Sequence, residues 1–135
     1  MLKPFLLLSA TILFAIATLP ALGGTPQAPA SAPGAAAGGN PVKATADSRA
    51  KAKSLYQIDC AMCHGDNGNG KTDLATSMGL TLDDWTDAKT LAGKPDKDLF
   101  DVIRKGKDKM PPEIEGRAKD DMVWNLIIYI RSFAK

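Results

Sequence analysis

The chain is poor in the side chains from which metal centres and nucleophilic sites are built: one histidine and two cysteines in 135 residues. A closed structural zinc site takes four ligands, almost always Cys or His, so the sequence cannot supply one. Aromatic residues make up only 6%, and no basic helix carries interleaved aromatics, which argues against nucleic-acid binding. No segment shows a convincing strand-type alternation of apolar and polar residues. That excludes a sheet-based fold, and with it the βαβ context of a thioredoxin-like cysteine pair. Acid and base nearly balance, with 17 Lys and Arg against 15 Asp and Glu, so net charge names no partner. There is no internal repeat.

The long apolar run stands near the start of the chain. Lys3 precedes it, and no charge interrupts it from Phe5 to Leu22. This is the pattern of an export signal, and Ala21 and Gly23 are small residues at the spacing a signal peptidase needs. The run is also close to the roughly 20 residues that can span a bilayer. Residues 1–23 are therefore expected to be a signal peptide or an N-terminal membrane anchor. Residues 24–46 follow as an Ala/Pro/Gly-rich stretch with no large apolar side chain to bury. Burial there cannot offset the entropy of ordering, so a flexible linker is expected. The folded domain is expected over residues 47–135. A domain of that size is marginal on its own core, and a bound cofactor would supply an apolar centre.

Both cysteines stand in Cys60-Ala61-Met62-Cys63-His64. This is the C-x-x-C-H pattern of covalent haem attachment. Two thiols three positions apart on a helical turn lie on one face. There they can add to the two vinyl groups along one edge of a porphyrin, and the adjoining histidine can ligate the iron. Rival readings are weaker. A disulfide between Cys60 and Cys63 closes a tight loop and gains little chain entropy. His64 has no rival as proximal ligand, because the chain has no other histidine. The expected cofactor is one covalent haem c with its iron.

A haem iron that only carries electrons has both axial positions filled, and a thioether opposite histidine favours the ferrous state. Met62 lies between the cysteines and cannot reach the far face. Met78, Met110 and Met122 remain. Met110 is followed by Pro111 and Pro112, which hold it extended and stiffen its loop. Met122 falls on a helix, where methionine is usually core filler. Met110 is the first candidate and Met78 the alternative, with an open sixth position after them.

Three main helices are expected. The first runs from about Asp47 to Met62, capped by Asp47 or Ser48. Its inward face is Ala52, Leu55, Tyr56 and Asp59-Cys60, and the glycines at 65, 68 and 70 break it. The second runs from Pro95 at the first helical position to about Lys105, with Gly106 as the stop. The third runs from about Lys119 to Phe133, with Leu126, Ile127, Ile130 and Phe133 inward. Its start, Arg117-Ala118-Lys119, lacks a good cap. Residues 65–94 are expected to be irregular, with a short helical turn near Asp73 to Met78. Trp85 is either core or an indole donor to a haem propionate.

In this order the segments resemble the class I c-type cytochromes. The resemblance rests on Cys60 to His64, the glycine-rich turn His64 to Gly70, Val102-Ile103-Arg104-Lys105-Gly106 leading to Met110-Pro111-Pro112, and Leu126 to Phe133. It implies an all-α cytochrome c fold wrapped on one haem. It also implies that Ala52, Tyr56, Leu126 and Tyr129 form a crossing between first and last helices. Many members carry a proline after the glycine turn whose carbonyl accepts the proximal histidine's Nδ1–H. Lys71-Thr72-Asp73-Leu74 has none, so another carbonyl is expected to serve.

The expected function is one-electron transfer between redox proteins outside the cytoplasm, since haem is attached to thiols there in bacteria, as the resemblance implies. Arg104, Lys105, Lys107 and Lys109 cluster near Met110 and could steer an acidic-faced partner; the plainer reading is a solvated charge run. Two functional alternatives stand beside the carrier. One is a haem subunit of a larger oxidoreductase. The other is a haem sensor with an open sixth site, for which the chain lacks a second histidine.

Overall fold

A computed structural model describes residues 39–135. The apolar run and most of the expected linker lie outside the described residues. Six helices follow in order: α1 Ala46–Asp59, α2 Ala61–His64, α3 Asp73–Ser77, α4 Ala88–Ala92, α5 Asp96–Lys105 and α6 Asp120–Arg131. Among the described residues there is no strand, and an isolated antiparallel bridge joins Lys107 to Met110. The fold is all-α, as expected.

Thr45 caps α1, not Asp47 or Ser48. Its hydroxyl accepts from the Ser48 amide at 3.1 Å, and the Ser48 hydroxyl accepts from the Thr45 amide at 2.9 Å. This reciprocal box satisfies two of the amides that a helix start leaves free. The helix expected to run on to Met62 is interrupted at Cys60, whose φ of −116° starts the separate turn α2. Pro95 caps α5 from one residue outside it, and α6 starts from Lys119 with no side-chain cap.

The core lies where α1 crosses α6. Tyr56, Val123, Leu126 and Ile127 are the largest fully buried side chains. Each such burial contributes about 1.5–3 kcal/mol. Ala52 is fully buried as well, and its single methyl lets the backbones approach. The Tyr56 ring meets Tyr129 edge-on at 5.4 Å and Phe133 at 5.1 Å. The crossing is the one the resemblance implied. Helix α5 packs on α6 through Phe100, stacked on Trp124 at 4.3 Å.

Two features were not read from the sequence. Helix α4 is a short turn capped by the Asp87 carboxylate, which accepts from the Lys89 amide at 2.9 Å. It buries Leu91. The other is Arg131, in the last turn of α6, which reaches beyond its own helix. Its Nε donates to Asp96, which is 3% exposed, and Nη1 donates to the Leu91 carbonyl at 3.0 Å. That network joins the end of α6 to α4 and to the start of α5. Asn40, inside the expected linker, donates to the Trp124 carbonyl at 2.9 Å. No helix among the described residues is long and apolar enough to cross a membrane.

Candidate functional site

The Cys60–His64 segment is one helical turn held at both ends. The Cys60 amide donates to Tyr56 at 2.9 Å, and the Cys60 carbonyl accepts from Cys63 at 3.1 Å and from His64 at 2.9 Å. The two thiols are free and half-buried. Thr72 steadies the turn: its hydroxyl donates to the Cys63 carbonyl at 3.1 Å and accepts from Ala75 at 3.0 Å, capping α3.

The glycine turn fastens this segment to the core. Gly65 has φ +81° and its carbonyl accepts from the Tyr56 hydroxyl at 2.6 Å. A Cβ on Gly68 would lie 2.6 Å from the Phe133 ring, so only glycine allows this approach at its φ of +77°. The Gly68 carbonyl accepts from the Trp85 amide at 2.8 Å. The core tyrosine, the end of α6 and the Trp85 segment thus all converge on the loop behind His64.

His64 is half-buried and stacks on Trp85, with ring centroids 4.2 Å apart and planes 15° from parallel. Burial pushes its pKa down, against a weaker upward pull from Asp83. The neutral imidazole that results is the form that ligates metal. Its Nδ1 is buried and makes no hydrogen bond. The carbonyl expected to replace the missing proline's is therefore not in place. Trp85, read as core or as propionate donor, packs half-buried against the core cluster. Burial, with Asp59 and Glu113 adding, pushes the Cys60 thiol up to about 12.

Met110 lies in a tight loop after α5. Gly106, at φ +74°, ends the helix, and a Cβ there would lie 2.6 Å from the Met110 carbonyl. Lys107 and Met110 exchange both backbone hydrogen bonds, at 3.1 and 2.8 Å. Asp108 takes φ +53° at the tip. Beyond the prolines, the Glu113 amide donates to the Ile103 carbonyl at 2.8 Å and closes the loop onto α5. Met110 is half-buried against the core cluster that also receives Cys60 and Trp85, whereas Met78 is 39% exposed. Lys109 links the two methionine segments by donating to the Met78 carbonyl at 2.7 Å. Met122 packs on the core from α6.

The basic cluster is not one free face. Arg104 is 14% exposed; it donates to Asp120 at 2.7 and 3.0 Å and to the Glu113 carbonyl at 3.0 Å. Lys105, Lys107 and Lys109 are exposed. Sequence reasoning also missed a group beside Cys60. Arg117 pairs with Asp59 and lies 3.9 Å from Glu113. The one available signal was Asp59 on the inward stripe of α1.

These residues fit a covalent haem. The donor set is two free thiols and a neutral imidazole on one turn, with a methionine loop packed on the same core. Comparison with known proteins agrees. The FixP subunit of the cbb3-type cytochrome c oxidase of Bradyrhizobium diazoefficiens is 27% identical over 83 residues, 62% of this chain. The chain spans about a quarter of that relative's length. The solved KustC0563 c-type cytochrome is 28% identical with a TM-score of 0.54, covering 62% of this chain and 98% of that one. A chain of the Kuenenia stuttgartiensis reducing HAO-like protein complex Kustc0457/Kustc0458 is 25% identical with a TM-score of 0.58, over 70% of this chain and 47% of that one. The family described as cytochrome C oxidase, cbb3-type, subunit III matches residues 47–130. The chain belongs to that family of c-type cytochrome domains, whose haem carries electrons and does no catalysis of its own.

Proposed function

We propose that the domain carries a single covalent haem through Cys60 and Cys63, with His64 and Met110 on the two axial positions of the iron, and passes one electron at a time between redox proteins outside the cytoplasm. The observation that carries this reading is the placement of Cys60, Cys63 and His64 on one rigid turn, with the His64 ring held flat against Trp85. When bound, the haem supplies a one-electron couple at its iron.

The chain's own residues do the rest. The turn at 60–64 fixes the imidazole, and Trp85 limits its tilt. Burial keeps His64 neutral and ready to ligate. The Gly106–Pro112 loop presents Met110 with little freedom, because its ends are tied to α5 and its interior is stiffened by two prolines. A rigid pair of ligands changes little when the charge changes, and small reorganisation makes transfer fast. The residues 1–23 either direct export or tether the domain to the membrane. The length of the FixP relative supports a place for domains of this type within a larger oxidase, and a subunit role is the second reading.

The test is the absorption spectrum of the ferric protein, wild type against Met110→Ala and Met78→Ala. A weak long-wavelength iron–sulfur band present in the wild type, lost in Met110→Ala and kept in Met78→Ala is the expected result. Loss in Met78→Ala alone assigns the other methionine and overturns the ligand set.

A further inference from the structure

The group beside Cys60 is not used by electron transfer itself. Asp59, at the end of α1, and Glu113, after the Met110 loop, have side chains 13% and 12% exposed. One arginine serves both. Arg117 pairs with Oδ1 of Asp59 and stands 3.9 Å from Oε1 of Glu113, an ion-pair distance too long for a hydrogen bond. Asp59 Oδ2 and Glu113 Oε1 are both buried and make no hydrogen bond. Two carboxylates therefore share one cation, and each keeps a buried oxygen with no donor.

We infer that Glu113, set against Asp59 with Arg117 between them, is a proton-binding site whose occupancy is coupled to the electron carried by the domain. The inference rests on haem attachment at Cys60 and Cys63 as proposed above. A proton gives Glu113 a donor of its own and leaves Arg117 to neutralise Asp59 alone. Burial raises the Glu113 carboxyl, and Asp59 adds to that; Arg117 and Arg104 pull the other way. These are the charged groups that face it: Asp59 from α1, Arg104 from α5 and Arg117 from its own segment. Coupling to the electron follows from position. Asp59 adjoins Cys60 in the chain, and Arg117 bridges Asp59 to Glu113, so the pair lies against the residue that would bond the porphyrin edge. The influence is reciprocal, as any linkage must be.

The step balances with one electron and one proton. When the domain gives an electron to an oxidised partner protein, its centre gains a positive charge and Glu113 gives its proton to solvent. When a reduced partner returns the electron, Glu113 takes a proton back. The potential then falls as pH rises across the window between the two Glu113 titrations, because deprotonation favours the oxidised state. The slope stays below ~59 mV per pH unit, the value of a tenfold change for one electron.

The experiment measures the midpoint potential of the full haem-bearing protein against pH, with a redox-difference infrared spectrum of the same sample. The wild type is expected to show the falling segment and a protonated-carboxyl band in the reduced state. Glu113→Gln flattens that segment and removes the band. Arg117→Gln, which keeps both carboxylates, moves the segment to higher pH and covers the case in which Glu113→Gln fails to fold. A pH-independent wild-type potential overturns the inference, as does a slope and band that survive in Glu113→Gln. A covalent haem stain on a denaturing gel separates the two levels of the claim. Protein without stain overturns the haem reading and this inference with it, whereas stained protein with a flat potential overturns this inference alone.

Discussion

At the scale of single residues, the hydrogen bond from the Tyr56 hydroxyl to the Gly65 carbonyl joins the core to the turn proposed to attach haem. Tyr56 is fully buried, and burial pushes its hydroxyl pKa upward, so it donates as a neutral phenol. Tyr56→Phe keeps the ring packing against Tyr129 and Phe133 and strands the carbonyl. A stability loss of about 1–3 kcal/mol is expected from an unsatisfied buried acceptor, measured by denaturant unfolding, with the haem still attached. The spacing of Cys60, Cys63 and His64 is plain in the sequence, where no other Cys or His competes; the structure adds that the three share one turn. Asp96 and Arg131 were not legible as partners. They stand 35 positions apart, and each sits at a helix end where a charge of its sign is favourable without a partner. Only the fold brings them together.

At the scale of elements, the legible helices are those with long apolar stripes. Helix α6 carries Val123, Leu126, Ile127 and Ile130 at helical spacing and was placed to within two residues. Helix α4 buries only Leu91, too little for a periodic signal, although Asp87 before Ala88 was a readable cap. The break at Cys60 had no signal, since nothing in Asp59-Cys60-Ala61 disfavours helix. The α6 start was correctly read as uncapped: Lys119 sits at the cap position in an extended conformation with no side-chain bond. Lys119→Ser supplies an acceptor for the free amides of the first turn. A gain of about 1 kcal/mol in unfolding free energy is expected, and amide exchange at Asp121 is expected to slow, whereas Met122 already donates to the Lys119 carbonyl at 3.0 Å. Unchanged exchange at Asp121 would mean that its amide is already satisfied.

At the scale of the molecule, the domain offers partners a mixed surface. Arg104 belongs to the fold through Asp120 and Glu113, so the basic feature that remains is Lys105, Lys107 and Lys109 around the Met110 loop. Lys105 is 3.5 Å from Asp101, and Lys109 holds the Met78 carbonyl. If the lysines steer an acidic-faced partner, the rate of electron transfer falls as salt rises, because the Debye length shrinks from ~10 Å at 0.1 M to ~3 Å at 1 M. Reversing Lys105 and Lys107 to glutamate then removes the salt dependence with the absorption spectrum unchanged. A rate indifferent to salt in the wild type identifies the lysines as ordinary solvated charge. The fold class was visible in the sequence at this scale, through motif order. The loss of Arg104 from the basic face was not, because it depends on which side of α5 meets the start of α6.

The proposed ligand set of His64 and Met110 leaves the haem iron no position for chemistry, and exposure of the reduced protein to carbon monoxide probes that position. An unchanged spectrum is expected in the wild type and prompt binding in Met110→Ala. Prompt binding in the wild type would show an open sixth position and overturn the ligand set.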